Sequence, residues 1–202
     1  DEPTVGDVFR SKTGDPNPSP DGLDNNSDGK PDEQVNHGTL VAGIVAAIGN
    51  NAFGTAGISW GAKIMPLQVF PDDGTTTVSM VVEAIDYAVD NGADVINLSI
   101  GASYDTSFTP PIVRAHEAGI CVVSAGGNSG RALTNSQGSW ASPVCNDGPN
   151  PLTDNYVLGV AGLAQDQTLA WYSNWDVSTG NFIDVSAPGS NILGPGYYDP
   201  TY

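Results

Sequence analysis

Four short strings hold side chains suited to chemistry. In Asn36-His37-Gly38-Thr39 an imidazole stands at the start of a long apolar run. The dipole of a helix biases a histidine in its first turn toward the neutral form that a general base needs. Gly38 removes a side chain that could crowd a substrate. The plainer reading of His37 is a helix cap or loop residue. His116, between Ala115 and Glu117, reads as a partly exposed helix residue. In Gly126-Gly127-Asn128-Ser129-Gly130 the glycines allow close approach of a ligand to the backbone, and a carboxamide after a strand can donate to a developing oxyanion. A Gly-Asn turn is the plainer reading there. Gly57-Ile58-Ser59-Trp60-Gly61 fits the G-x-S-x-G pattern of a nucleophile elbow, which needs a strand before it and a helix after it. Here a polar turn precedes and a strand-like run follows, so Ser59 reads as a loop residue. The fourth string, Asp24 to Asp32, places Asp24, Asn26, Asp28 and Asp32 at relative positions 1, 3, 5 and 9, with Gly29 at 6. That is the first part of an EF-hand-type calcium loop. Val35 stands at position 12, so the bidentate carboxylate is missing, although Glu33 lies close by. Acids crowded this densely repel one another without a cation. A solvated polar loop is the alternative.

The elements that must position these groups follow from spacing. Residues 1–36 are rich in Asp, Asn, Pro, Gly and Ser and read as an acidic loop segment, separate from a domain over 37–202. Leu40 to Ile48 is apolar nearly all round and reads as a buried helix ended by Gly49-Asn50-Asn51. Lys63 to Phe70 reads as a strand. Apolar residues at helical spacing over Thr77 to Asn91 predict a helix capped by Gly92. Val95–Ile100 and Ile120–Ala125 read as strands with a helix over Pro111–Ala118 between them, and Tyr156–Ala161 and Phe182–Val185 as two more strands. Helices alternating with strands predict an α/β fold, a parallel central sheet flanked by helices. Continuously apolar strands point to a sheet covered on both faces. Ligands then gather beyond the carboxyl ends of the strands.

Composition sets the outer bounds. The 202 residues are 39% hydrophobic, with 25 Gly and 15 Pro, enough for one core with many turns. No run of about 18 apolar residues occurs, which argues against a spanning helix. Six basic against 23 acidic residues give a net charge of -17, which repels nucleic acid and anionic membranes. Two cysteines exclude a disulfide-dense scaffold. Cys121, in an apolar strand, reads as a buried thiol and Cys145 as a loop thiol, with a bridge between them as the alternative.

Taken together, five strings resemble subtilisin-like serine proteases. They are Asn36 to Ala47 (the histidine helix), Gly54 to Ile58 followed by Ala62 to Val69 (a turn and strand), Ala93 to Gly101 (the substrate-lining strand), Val122 to Gly130 (the oxyanion turn) and Val185 to Leu193 (the approach to the nucleophile). The resemblance implies a three-layer α/β sandwich and a serine endopeptidase acting on protein or peptide substrates. It implies His37 as general base and acid and Asn128 as oxyanion donor. Ser99, Ile100 and Gly101 would pair with the substrate backbone, and Ala125, Gly126 and Gly127 would form the other wall of the cleft. It also suggests a structural calcium near Asn51 and Thr55, a secreted protein, and a monomer.

The sequence departs from the family in two places. No strand bearing the family's Asp occurs in residues 1–36, and no Gly-Thr-Ser string occurs anywhere. The sandwich is therefore expected to be incomplete, with the Asp and Ser of the triad outside this sequence and the chain by itself nearly inactive. A non-catalytic, calcium-binding extracellular module that keeps the fold is the alternative.

Overall fold

The computed structural model describes residues 35–52, 54–70, 76–177 and 182–194, except the side chains of Val35 and Asn36. Contacts divide the chain into two units: residues 1–80 with 193–202, and residues 81–192.

In the first unit, α1 runs over Val35–Ala46. The backbone N–H groups of Gly57, Ile58 and Ser59 donate to the carbonyls of Ala47, Ile44 and Val45, at 2.8, 3.0 and 2.8 Å. These bonds satisfy two orphan carbonyls of the last turn and that of the residue just beyond it. They hold the end at Ala46, ahead of Gly49-Asn50-Asn51. A methyl on Gly57 would lie 2.4 Å from the Ala47 nitrogen, so only glycine lets this loop come so close. Contrary to the expectation of a buried helix, Gly43 alone is buried among the described side-chain positions 37–46 of α1, and Ile48 beyond its end is 71% exposed. An apolar run does not encode how many neighbours will cover it. Residues 63–70 form no strand, because they find no ladder partner among the described residues. Ser59 lies in a loop, as expected.

The helix α2, Val78–Asp90, begins at the boundary between the units. Its buried residues Val81, Ala84, Ile85 and Ala88 follow the helical period. In the second unit it is followed by β1 (Val95–Leu98), β2 (Ala102–Ser103), α3 (Thr109–Glu117), β3 (Cys121–Ala125), β4 (Ala132–Leu133), β5 (Ala141–Ser142), β6 (Val157–Leu163), β7 (Trp175–Asp176) and β8 (Val185–Pro188). Both α2 and α3 end in the same way. Gly92 and Gly119 adopt φ of +72° and +77°, and the next residue donates back to Ala88 and to Ala115, at 3.0 and 2.9 Å. That is a Schellman cap, and left-handed φ is why glycine stands at both positions. Arg114 of α3 reaches Asp86 and Asp90 of α2, the latter at 2.7 Å.

The main sheet has the order β1-β3-β6-β8 and every pair is parallel, as helix–strand alternation requires. The register sets Ile96, Val122 and Val157 in one row and Leu98, Ser124 and Gly159 in the next. Both rows are buried, whereas Val95, Asn97, Cys121 and Leu158 on the opposite face are exposed. Burial thus alternates along these strands. It reverses the two cysteines. Cys121 is exposed beside Val95, Cys145 is fully buried, and both are free thiols. The last strand starts later than Phe182. Phe182 leaves the sheet to join Leu133, Val144 and Cys145 in a separate apolar cluster, and pairing begins at Val160 with Val185. No helix among the described residues is long and apolar enough to cross a membrane.

Candidate active site

Parallel strands deliver their carboxyl ends to one edge of the sheet. Leu98 pairs with Ser124, so Ser99-Ile100-Gly101 and Ala125-Gly126-Gly127 leave adjacent strands side by side. Asn97 donates from Nδ2 to Ser99 Oγ at 2.9 Å. The six residues assigned to the cleft walls are therefore neighbours in this unit. Asn128 follows on an exposed turn, and its side chain makes no hydrogen bond to any described residue.

The glycines of this wall are not open space. A methyl on Gly126 would lie 2.6 Å from Ile183 Cδ1, and one on Gly127 would lie 2.5 Å from Asn174 Nδ2. The backbone of Gly127, at φ +102°, is held by the Asn174 N–H donating to its carbonyl at 2.9 Å. Glycine at both positions permits this close packing.

A depression of about 700 Å³ lies between the β2 side and residues 131–140. Tyr104 and Trp140 meet edge to face at 4.9 Å in its wall, and Trp140 leans on Phe182 at 5.4 Å. Asp105 and Arg131 give it one charge of each sign. The Ser107 N–H, at 2.8 Å, holds the Asp105 carboxyl below the usual carboxylate range. Arg131 donates to the Trp140 carbonyl at 3.3 Å. Burial pushes the Tyr104 phenol up, so it stays a neutral hydrogen-bonding group. Spacing alone singled out none of these residues, because they converge from separate loops.

His37 stands exposed in the first turns of α1, in the first unit, whereas Asn128 and the cleft walls belong to the second. Asn51 is exposed and Thr55 half-buried in the loop after α1. The calcium-loop residues Asp24, Asn26, Asp28 and Asp32 lie outside the described residues. Among the described residues no group of three or more acidic, histidine or cysteine side chains is arranged to hold a metal.

Comparison with known proteins identifies the family. The sequence profile described as the subtilase family matches residues 9–202. The chain is 36% identical over 174 residues to the thermophilic serine proteinase of Bacillus sp. (strain AK1), covering 86% of this chain and 38% of that protein. It is 37% identical to an extracellular protease of Xanthomonas campestris pv. campestris over 169 residues, or 78% of this chain and 26% of that one. Among solved structures, a protease from Pseudoalteromonas arctica PAMC 21717 superposes with a TM-score of 0.62 at 33% identity, over 76% of this chain and 43% of that one. The chain thus spans less than half the length of each of these proteins. With the family matched over residues 9–202 and a relative 36% identical over 86% of its length, this chain belongs to the subtilase family.

Proposed function

We propose that this chain is part of the catalytic domain of a secreted serine endopeptidase. The observation that carries the proposal is the pairing of Leu98 with Ser124. It sets two short, extendable segments next to each other at the carboxyl edge of the sheet, with Asn128 directly beyond one of them. Backbone at Ser99-Ile100-Gly101, outside any helix or strand, offers N–H and C=O groups to which a peptide can add as a further strand. Ala125-Gly126-Gly127 forms the facing wall.

In this reading a serine hydroxyl attacks the peptide carbonyl while His37 takes its proton. His37 then returns the proton to the leaving amine. The carbonyl oxygen becomes an oxyanion, and the Asn128 carboxamide donates to it. The exposed Asn128 side chain suits that role, since no partner among the described residues must be given up. The serine and the aspartate that orients His37 are assigned to the full-length protein beyond the motifs present in this sequence. Calcium binding at Asp24, Asn26, Asp28 and Asp32 is part of the proposal, supported by the ligand spacing and by the acid density of that loop. Secretion is supported by the name of the Xanthomonas relative. The charge of -17 supports peptide rather than nucleic-acid or membrane partners, acting as a monomer.

The test is hydrolysis of a chromogenic peptide by the full-length protein. Asn128→Leu should lower kcat by about 10²–10³. His37→Ala should remove nearly all activity. A full-length protein that binds the peptide without cleaving it would refute the proposal and leave a binding module. Unchanged activity in His37→Ala would refute the assigned mechanism.

A further inference from the structure

One buried side chain spends all of its described hydrogen bonds on the turn that carries Asn128. Asn174 is 1% exposed and lies between Ser173 and Trp175, far from the turn in sequence. Its Oδ1 accepts from the backbone N–H of Ser129 at 3.1 Å and of Arg131 at 3.3 Å. Its Nδ2 donates to the Gly126 carbonyl at 2.8 Å. Its own N–H donates to the Gly127 carbonyl at 2.9 Å. The orientation of the carboxamide is settled by these partners, since a flip would set its NH₂ against two N–H donors and its oxygen against a carbonyl.

The contacts bracket Asn128 on both sides and engage its neighbours rather than its side chain. Neighbouring residues complete the clamp. Gly130 donates to the Tyr172 carbonyl at 2.7 Å, and Trp175 donates to the Arg131 carbonyl at 3.1 Å. The clamping segment is itself tied to the sheet, because the Ser173 hydroxyl accepts from Gly162 of β6 at 2.9 Å. An oxyanion donor works only if it is already aimed when charge develops, because reorganising it during reaction costs what it would gain.

We propose that Asn174 is the positioning residue of the oxyanion turn, fixing the backbone from Gly126 to Arg131 so that the Asn128 carboxamide is aimed before substrate arrives. This rests on the reading of Asn128 given above. The residue acts through Asn128 and does not touch the reacting atoms.

The experiment is a double-mutant cycle in the full-length enzyme with Asn174→Ala and Asn128→Ala, read as kcat and KM on a peptide anilide. Asn174→Ala should lower kcat by roughly 10- to 100-fold and change KM less than about twofold. In the Asn128→Ala background the same change should cost less than about threefold more. A full repeat of the loss in that background, or a loss in KM instead of kcat, overturns the proposal. Should Asn174→Ala fail to fold, Asn174→Asp keeps the acceptor for Ser129 and Arg131 but replaces the donor to Gly126 with a carboxylate oxygen that faces the Gly126 carbonyl. The same non-additivity is expected of it. Amide hydrogen exchange gives a readout apart from activity. The Ser129 and Arg131 N–H groups should be protected in the wild type and exchange faster in Asn174→Ala, which removes their acceptor, and equal exchange in that variant overturns the clamp. If Asn128→Ala leaves kcat unchanged, the oxyanion reading fails and the positioning role fails with it, whatever the exchange rates show of the turn.

Discussion

Asp147 should make this fold less stable as pH rises through the weakly acidic range, and Asp147→Asn should remove that effect. The carboxyl is fully buried within Ala141–Gly148, where every residue is buried. Its Oδ1 accepts from the N–H groups of Tyr156 and Val157, at 2.5 and 2.7 Å. Its Oδ2 is buried with no hydrogen-bond partner among the described residues. Burial pushes this carboxyl from its ordinary 3.8 up to about 7. The two N–H bonds oppose the shift, and the charges of Asp184 and Asp154 add to it. The folded protein therefore keeps a proton that the unfolded chain releases above about pH 4. Folding stability must fall as pH rises from about 4 to about 7 and level off beyond. Three units at about 1.4 kcal/mol each set an upper bound near 4 kcal/mol. Asparagine keeps the Oδ1 acceptor and cannot ionise, but its NH₂ takes the place of the unpartnered oxygen at a cost of about 1–3 kcal/mol. The variant should thus be more stable than the wild type by roughly 1–3 kcal/mol at pH 8 and no more stable at pH 4. Urea denaturation followed by tryptophan fluorescence, at several pH values from 4 to 8, measures the difference between the two proteins. The difference cancels the other acids. A difference independent of pH, or one that moves toward the wild type as pH rises, would show that Oδ2 has a partner and would refute the reasoning.

The two thiols should behave oppositely. Cys121 is exposed, whereas burial pushes the Cys145 thiol up to about 12 and shields it. Iodoacetamide should therefore add once to the native protein and twice in denaturant by mass spectrometry, and two native adducts would contradict the burial pattern. Phe182→Ala should cost about 3–5 kcal/mol in urea denaturation, because the ring is wholly buried against Trp140 and the Leu133 cluster. A cost below about 1 kcal/mol would mean that the cluster collapses into the gap. Calcium at about 100 times its dissociation constant should stabilise the full-length protein by about 2.7 kcal/mol. The double variant Asp24→Ala and Asp28→Ala should lose that gain, and an unchanged calcium response would remove those residues as ligands.

Local spacing determined what depends on near neighbours. The periodic burial of α2, its glycine cap, the cap at Gly119 and the parallel course of β1, β3 and β6 were all legible, because helix period, left-handed φ and chain alternation are short-range properties. So were the strings at His37 and Asn128 that mark the family. Only the tertiary structure decided coverage and partners. Lys63 to Phe70 has the composition of a strand and lacks a ladder partner among the described residues, and Cys121 exchanged places with Cys145 because the register puts it on the exposed face. Asn174 and Asp147 carried no signal at all, since a carboxamide between Ser173 and Trp175 or a carboxylate between Asn146 and Gly148 looks like any loop residue. Their meaning comes from backbone groups that approach from residues distant in the chain. Whether a buried polar atom is satisfied is a property of the packed molecule, and it does not exist until the segments meet.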